Sequence, residues 1–78
     1  MQTVQISLNS IDKVKSFVNS ITQFDFDFDL ISGRYVIDAK SIMGIFSLDL
    51  SKPIDLAIHT TSDSDVESIM EVLKPYLV

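Results

Sequence analysis

The sequence predicts a two-layer α+β sandwich: a four-stranded antiparallel sheet with three helices, all on one face. Two observations carry this expectation. Phe24-Asp25-Phe26-Asp27-Phe28-Asp29-Leu30 alternates without a break, which gives a sheet one dry face and one wet face, as antiparallel sheets commonly have. The patterned segments also follow the order strand, helix, strand, strand, helix, strand, helix. If the Asp face stays wet, every helix must cover the other side. With 78 residues the chain has room for one domain, residues 1–78, and one core.

Each element has its own signal. In residues 3–8, TVQISL, Val4, Ile6 and Leu8 alternate with Gln5 and Ser7, the pattern of a half-buried strand. Asn9 or Ser10 suits a helix N-cap, and Asp12 suits the positive end of the helix dipole. Ile11, Val14, Phe17, Val18 and Ile21 then recur at helical spacing, which predicts an amphipathic helix over residues 11–23. Residues 24–30 form the clearest strand. Ser32-Gly33 is a turn signal, and Tyr35–Ile37 begins the return strand of a hairpin. Ser41 is a good N-cap for a short helix over about residues 42–48. Lys52-Pro53 breaks the chain, and Ile54, Leu56 and Ile58 alternate in a fourth strand. Ser62 to Ser64 offer caps for a last helix with Val66, Ile69, Met70 and Leu73 on one face. Pro75 ends that helix or bends its last turn.

Composition excludes several functions. Six Lys and Arg stand against eleven Asp and Glu, for a formal net charge of −5. Lys13, Lys15, Arg34, Lys40, Lys52 and Lys74 are scattered, so no basic run exists to hold a nucleic-acid backbone. Without cysteine there is no disulfide framework and no thiolate chemistry. No apolar run approaches the ~18 residues of a membrane span. MQTVQISLNS lacks the basic start and apolar segment of a secretory signal. A cytoplasmic protein that neither enters a membrane nor binds nucleic acid is expected.

Catalytic signatures are also missing: there is no glycine-rich phosphate loop, no G-x-S-x-G and no H-E-x-x-H. The expectation is a protein that is not an enzyme, with no catalytic residues, no metal and no cofactor. Asp25, Asp27 and Asp29 invite a metal reading. Residues two apart on a strand lie about 6.5–7 Å from one another, however, and calcium sites gather six or more oxygens from turning loops. A solvated face is the simpler reading. His59 is the only histidine and reads as a half-exposed residue at the end of the fourth strand. Tyr35 and Tyr76 read as packing residues with wet hydroxyls.

Ala39–Leu48, AKSIMGIFSL, places Lys40-Ser41 ahead of an apolar run. The run Ile37-Asp38-Ala39-Lys40-Ser41-Ile42-Met43-Gly44-Ile45-Phe46-Ser47-Leu48 resembles the regulatory-serine segment of HPr, the phosphocarrier of the bacterial sugar phosphotransferase system. In that family the segment commonly reads V-D/N-A/L-K-S-I-M-G-L/V-M-S-L. The alternating strand after Phe24 and the Gly33 turn also fit, the turn with about a one-residue adjustment. The resemblance spans nearly the whole chain, with KSIMG its specific core. It implies the HPr-like open-faced sandwich, βαββαβα.

The chain departs from the family at its phosphotransfer site. HPr proteins carry a G-I-H-A-R-P-A-type segment, whose His accepts a phosphoryl group, between the first strand and first helix. Here Leu8–Phe17 reads LNSIDKVKSF, without His, Arg or Pro and about three residues short. Phosphocarrier activity on histidine is therefore not expected, and Asp12 would repel a phosphate at that helix start. Some family paralogues lack the histidine, keep the regulatory serine and act only in regulation.

The resemblance implies that Ser41 accepts phosphate from an HPr kinase/phosphorylase. It also implies that Lys40, Ile42, Met43 and Phe46 belong to a surface that docks protein partners, a regulator among them. On the residues alone, Ser41 is equally a helix N-cap, and Ile42, Met43 and Phe46 could pack on the sheet, although one helical turn cannot bury all three on one side. The alternative function is an interaction or structural module that keeps only the fold, as a possible homodimer, with no phosphorylation.

Overall fold

The computed structural model describes residues 2–78. Its elements are β1 (Gln2–Ile6), α1 (Ile11–Ile21), β2 (Phe28–Ser32), β3 (Tyr35–Asp38), α2 (Ile42–Ile45), β4 (Ile54–Ile58) and α3 (Asp63–Leu73). The strands form one antiparallel sheet in the order β1-β4-β2-β3. This is the expected four-stranded sandwich with its three helices.

The pairing register shows how the two faces differ. Val4, Leu56, Leu30 and Ile37 lie side by side across the sheet, and all four join the core. One residue along each strand, the row is Thr3, Ala57, Asp29 and Asp38. Side chains alternate along a strand, so this second row faces away from the helical layer, although the small Ala57 is itself buried. β4 is central, and its Ile54, Leu56 and Ile58 are all buried. The helices complete the core with Val14, Phe17 and Ile21 from α1, Ile45 from α2, and Ile69 and Leu73 from α3.

α1 starts where its cap allows. The Ser10 hydroxyl accepts the Lys13 backbone N–H at 3.2 Å, satisfying one of the free amides of the first turn. The helix closes at Ile21, two residues earlier than the pattern predicts. Ile11, expected on the buried face, is 62% exposed, because the stripe that meets the sheet begins one turn later at Val14. α3 follows Ser62 and ends at Leu73, with Lys74 as its C-cap. Pro75, which lacks a backbone N–H, cannot continue it. Val66 and Met70, expected on its core face, are only half-buried.

The chain then passes under α1 and back to the sheet. Tyr76 packs edge-on against Phe17, with centroids 5.7 Å apart. Ser7 N–H donates to the Tyr76 carbonyl at 2.8 Å, and Leu77 bridges Ile6 on the outer edge of β1. Tyr76 is therefore a packing residue, as expected. Tyr35 is not: at 69% exposure it stands on edge strand β3.

The main correction concerns the Phe-Asp run. β2 begins at Phe28, and residues 24–27 bend into it rather than extending it. Alternation alone does not make a strand; backbone partners do. β3 stops at Asp38, opposite Asp29. Beyond β4, one further bond forms, from His59 N–H to the Asp27 carbonyl at 3.0 Å. Freed from a pleat, Phe24, Phe26 and Phe28 draw together, with ring centroids 5.1 to 6.2 Å apart.

Leu56 is fully buried on the central strand and is paired to both neighbours. Leu56→Ala should cost about 2–5 kcal/mol, seen as a lower urea midpoint at unchanged slope.

Candidate functional site

Residues 38–48 form a tight turn followed by one turn of helix. Asp38 makes the first turn. Its carboxylate accepts the Lys40 backbone N–H at 3.0 Å, and its carbonyl accepts the Ser41 N–H at 3.0 Å. Ala39 is buried, and its N–H donates to the Phe28 carbonyl at 2.9 Å. The turn is thus tied to the sheet, while Ser41 emerges exposed on its far side.

Ser41 is extended, with φ −95° and ψ 100°, and its hydroxyl accepts the Gly44 N–H at 3.3 Å. This is an N-cap bond, at the long end of the useful range. α2 closes at Ile45 rather than near residue 48, because the following bonds tighten. Ser47 and Leu48 donate to the carbonyls of Gly44 and Ile45, three residues back, and the Ser47 hydroxyl takes the Gly44 carbonyl at 2.6 Å. Such bonds tighten a helix at its end.

One turn of helix divides its side chains. Ile45 and Leu48 are buried, and Ile42 packs half-buried against the core. Met43 is 77% exposed and Phe46 41% exposed. Isolated exposed apolar residues are ordinary; two together on one short turn make a patch. In the loop that follows, the Ser51 hydroxyl and backbone N–H bond the Asp49 carboxylate. They hold it below the usual carboxylate range, with a smaller contribution from Lys52.

Lys40 does not share the outward orientation of Ser41 and Met43. Its Nζ donates to the Phe24 carbonyl at 2.7 Å and lies 5.7 Å from the centre of the Phe28 ring. Of the five residues expected at this site, Ser41, Met43 and Phe46 face solvent, Ile42 is half-buried, and Lys40 is spent on its own chain.

Two features escape sequence reasoning. The first is Gly44. A Cβ built there would lie 2.6 Å from Ile37 Cγ2 and 3.2 Å from Ser41 Oγ, so the bare glycine lets α2 sit against β3. The only hint in the sequence is a glycine inside a predicted helix. The second is a pair between His59 and Asp29. His59 Nε2 lies 2.7 Å from Asp29 Oδ2, both side chains about a third exposed. His59 follows β4 and sits on the open face of the sheet. Asp25 and Asp27 are exposed, Asp29 is half-buried, and no cluster among the described residues is suited to hold a metal ion.

No family model and no curated protein matches the sequence. Solved structures do match. HPr-C-His from Thermoanaerobacter tengcongensis superposes with a TM-score of 0.73 at 22% identity, over 94% of this chain and 90% of that one. The phosphocarrier protein HPr of Bacillus anthracis strain Ames gives 0.70 at 27% identity, over 99% and 94%. The fold is that of HPr.

The Gly44 contact yields a test. Gly-to-Ala inside a helix ordinarily stabilises by up to about 1 kcal/mol. Here Gly44→Ala should instead destabilise by about 1–3 kcal/mol through overpacking. In an Ile37→Ala background that penalty should largely vanish, which urea unfolding of the double-mutant cycle would reveal.

Proposed function

We propose that this chain is a cytoplasmic, HPr-like regulatory or adaptor protein linked to the phosphotransferase system. In this reading it does not carry phosphate on histidine, and it acts through protein contacts of residues 41–48, with Ser41 as a phosphoacceptor. The observation that supports it best is the placing of an exposed serine hydroxyl one turn from the exposed side chains of Met43 and Phe46. Methionine and aromatic side chains suit adaptable contact surfaces.

The absence of a phosphohistidine role rests on the residues at the start of α1. Asn9, Ser10 and Asp12 stand there, and the only histidine is held by Asp29 on the open face. Asp12 in the first turn of α1 disfavours a second anion at that site.

On Ser41 the chemistry is transfer of the γ-phosphoryl group of ATP. The Oγ–P bond forms as the bond to ADP breaks, and the hydroxyl proton passes to a base of the kinase. The product adds about −1.5 to −2 charges beside an apolar patch, which changes the partners that patch accepts. An HPr kinase/phosphorylase and a regulator that reads seryl-phosphorylated HPr are the fitting partners.

Incubation with an HPr kinase/phosphorylase and ATP, followed by intact-mass measurement, tests the reading. The native chain should gain one phosphoryl group and Ser41→Ala none. No gain, with the kinase active on HPr itself, would reduce Ser41 to the helix cap it already is. The protein would then be a module sharing only the fold.

A further inference from the structure

Among the described residues, Lys40 is the one cation of the 38–48 segment, and its ammonium is already committed. It closes a long-range contact from the 38–41 turn to residue 24, through the Phe24 carbonyl at 2.7 Å and the Phe28 ring at 5.7 Å. The segment it holds is irregular. Residues 24–27 belong to no helix or strand, and Phe24 and Phe26 are half-buried against the core. Two backbone bonds anchor this segment. Phe24 N–H donates to the Ile21 carbonyl at 3.1 Å, and His59 N–H donates to the Asp27 carbonyl at 3.0 Å. Lys40 is thus a latch between the serine turn and an aromatic segment that the sheet holds only by the one bond at Asp27.

We propose that a phosphate on Ser41 draws the Lys40 ammonium off the Phe24 carbonyl and so loosens residues 24–27. This rests on Ser41 being the phosphoacceptor and names what its modification does to the protein. An ammonium bonds a phosphate oxygen more strongly than a neutral carbonyl. Lys40 turns away from Ser41 in the unmodified protein, but its flexible four-carbon stem lets the ammonium swing to the neighbouring residue. Loss of the latch leaves Phe24 and Phe26 with only their apolar contacts and the two backbone bonds. The consequence of phosphorylation is then not confined to added charge beside Met43. The Phe24–Phe26 aromatic segment, on the other side of Lys40, becomes mobile as well.

The test uses phosphoserine inserted at position 41 during translation, so that it does not depend on any kinase accepting the protein. Failure of a kinase to act would count against the proposed function alone. Amide hydrogen exchange at Phe24 and His59 is the readout, with Leu56 as a core control. Phosphorylation should speed exchange at Phe24 and His59 roughly tenfold, the loss of one charge-assisted hydrogen bond, and leave Leu56 unchanged. The unmodified Lys40→Met protein should show the same acceleration.

Lys40→Gln provides a second arm if Lys40→Met folds poorly. Glutamine is neutral and one bond shorter, so whatever its starting rates it offers the phosphate no charge to attract, and those rates should not respond to phosphoserine. Unchanged exchange in the phosphorylated native protein would overturn the proposal. So would an equal response in Lys40→Gln, since the coupling would then not run through Lys40.

Discussion

A single-layer sheet with only one face to bury constrains everything else in this protein. Four short strands place Val4, Leu56, Leu30 and Ile37 in one row and Thr3, Ala57, Asp29 and Asp38 in the next. With 78 residues there is apolar material for one helical layer and no more. The central strand supplies Ile54, Leu56 and Ile58 to that layer, and α1 and α3 cover most of it. α2 fills what remains beside β3 with a single turn. Its shortness follows from the small area left, and from its shortness follows the exposure of Met43 and Phe46. A longer helix could present one apolar stripe to the sheet; one turn buries Ile45 and leaves its neighbours out.

Much of this architecture is legible in the sequence because it depends on local period. β4 matches its alternation, and α1 and α3 start where expected, after Ser10, whose side chain caps α1, and after Ser62, whose side chain makes no cap bond. The Phe-Asp run is the instructive failure. Its alternation is as regular as that of any strand, yet residues 24–27 have no continuous strand beside them. Their rings gather and the Phe24 carbonyl goes to Lys40. Periodicity states which side a residue would face if a strand formed; whether one forms depends on neighbours far away in sequence. For the same reason no local pattern announces that His59 meets Asp29, thirty residues away. Nor does it announce that Gly44 is bare because Ile37 lies against it.

The candidate site was readable in its residue types and not in its orientations. Ser41 caps α2 as its position suggests. Lys40, next to it, points the opposite way and serves the fold. The pair therefore splits one dipeptide between two tasks: a hydroxyl offered to solvent and an ammonium holding an otherwise weakly held segment. The Ser41 cap is worth about 1 kcal/mol and its bond to Gly44 is long at 3.3 Å, so modifying this hydroxyl disturbs little of the cap. Lys40 carries the stronger, charge-assisted bond, and the fold is more sensitive there.

The central claim is that residues 41–48 form the surface through which this protein meets its partners. A methyl-resolved NMR titration with an HPr kinase/phosphorylase, without ATP, tests it most directly. Signals of Met43 and Ile42 should shift or broaden on addition of the enzyme, while those of the exposed Val36 and Thr3 on the sheet's open side stay put. Perturbation centred on Val36 and Thr3, or none at concentrations where the enzyme binds HPr, would contradict the account.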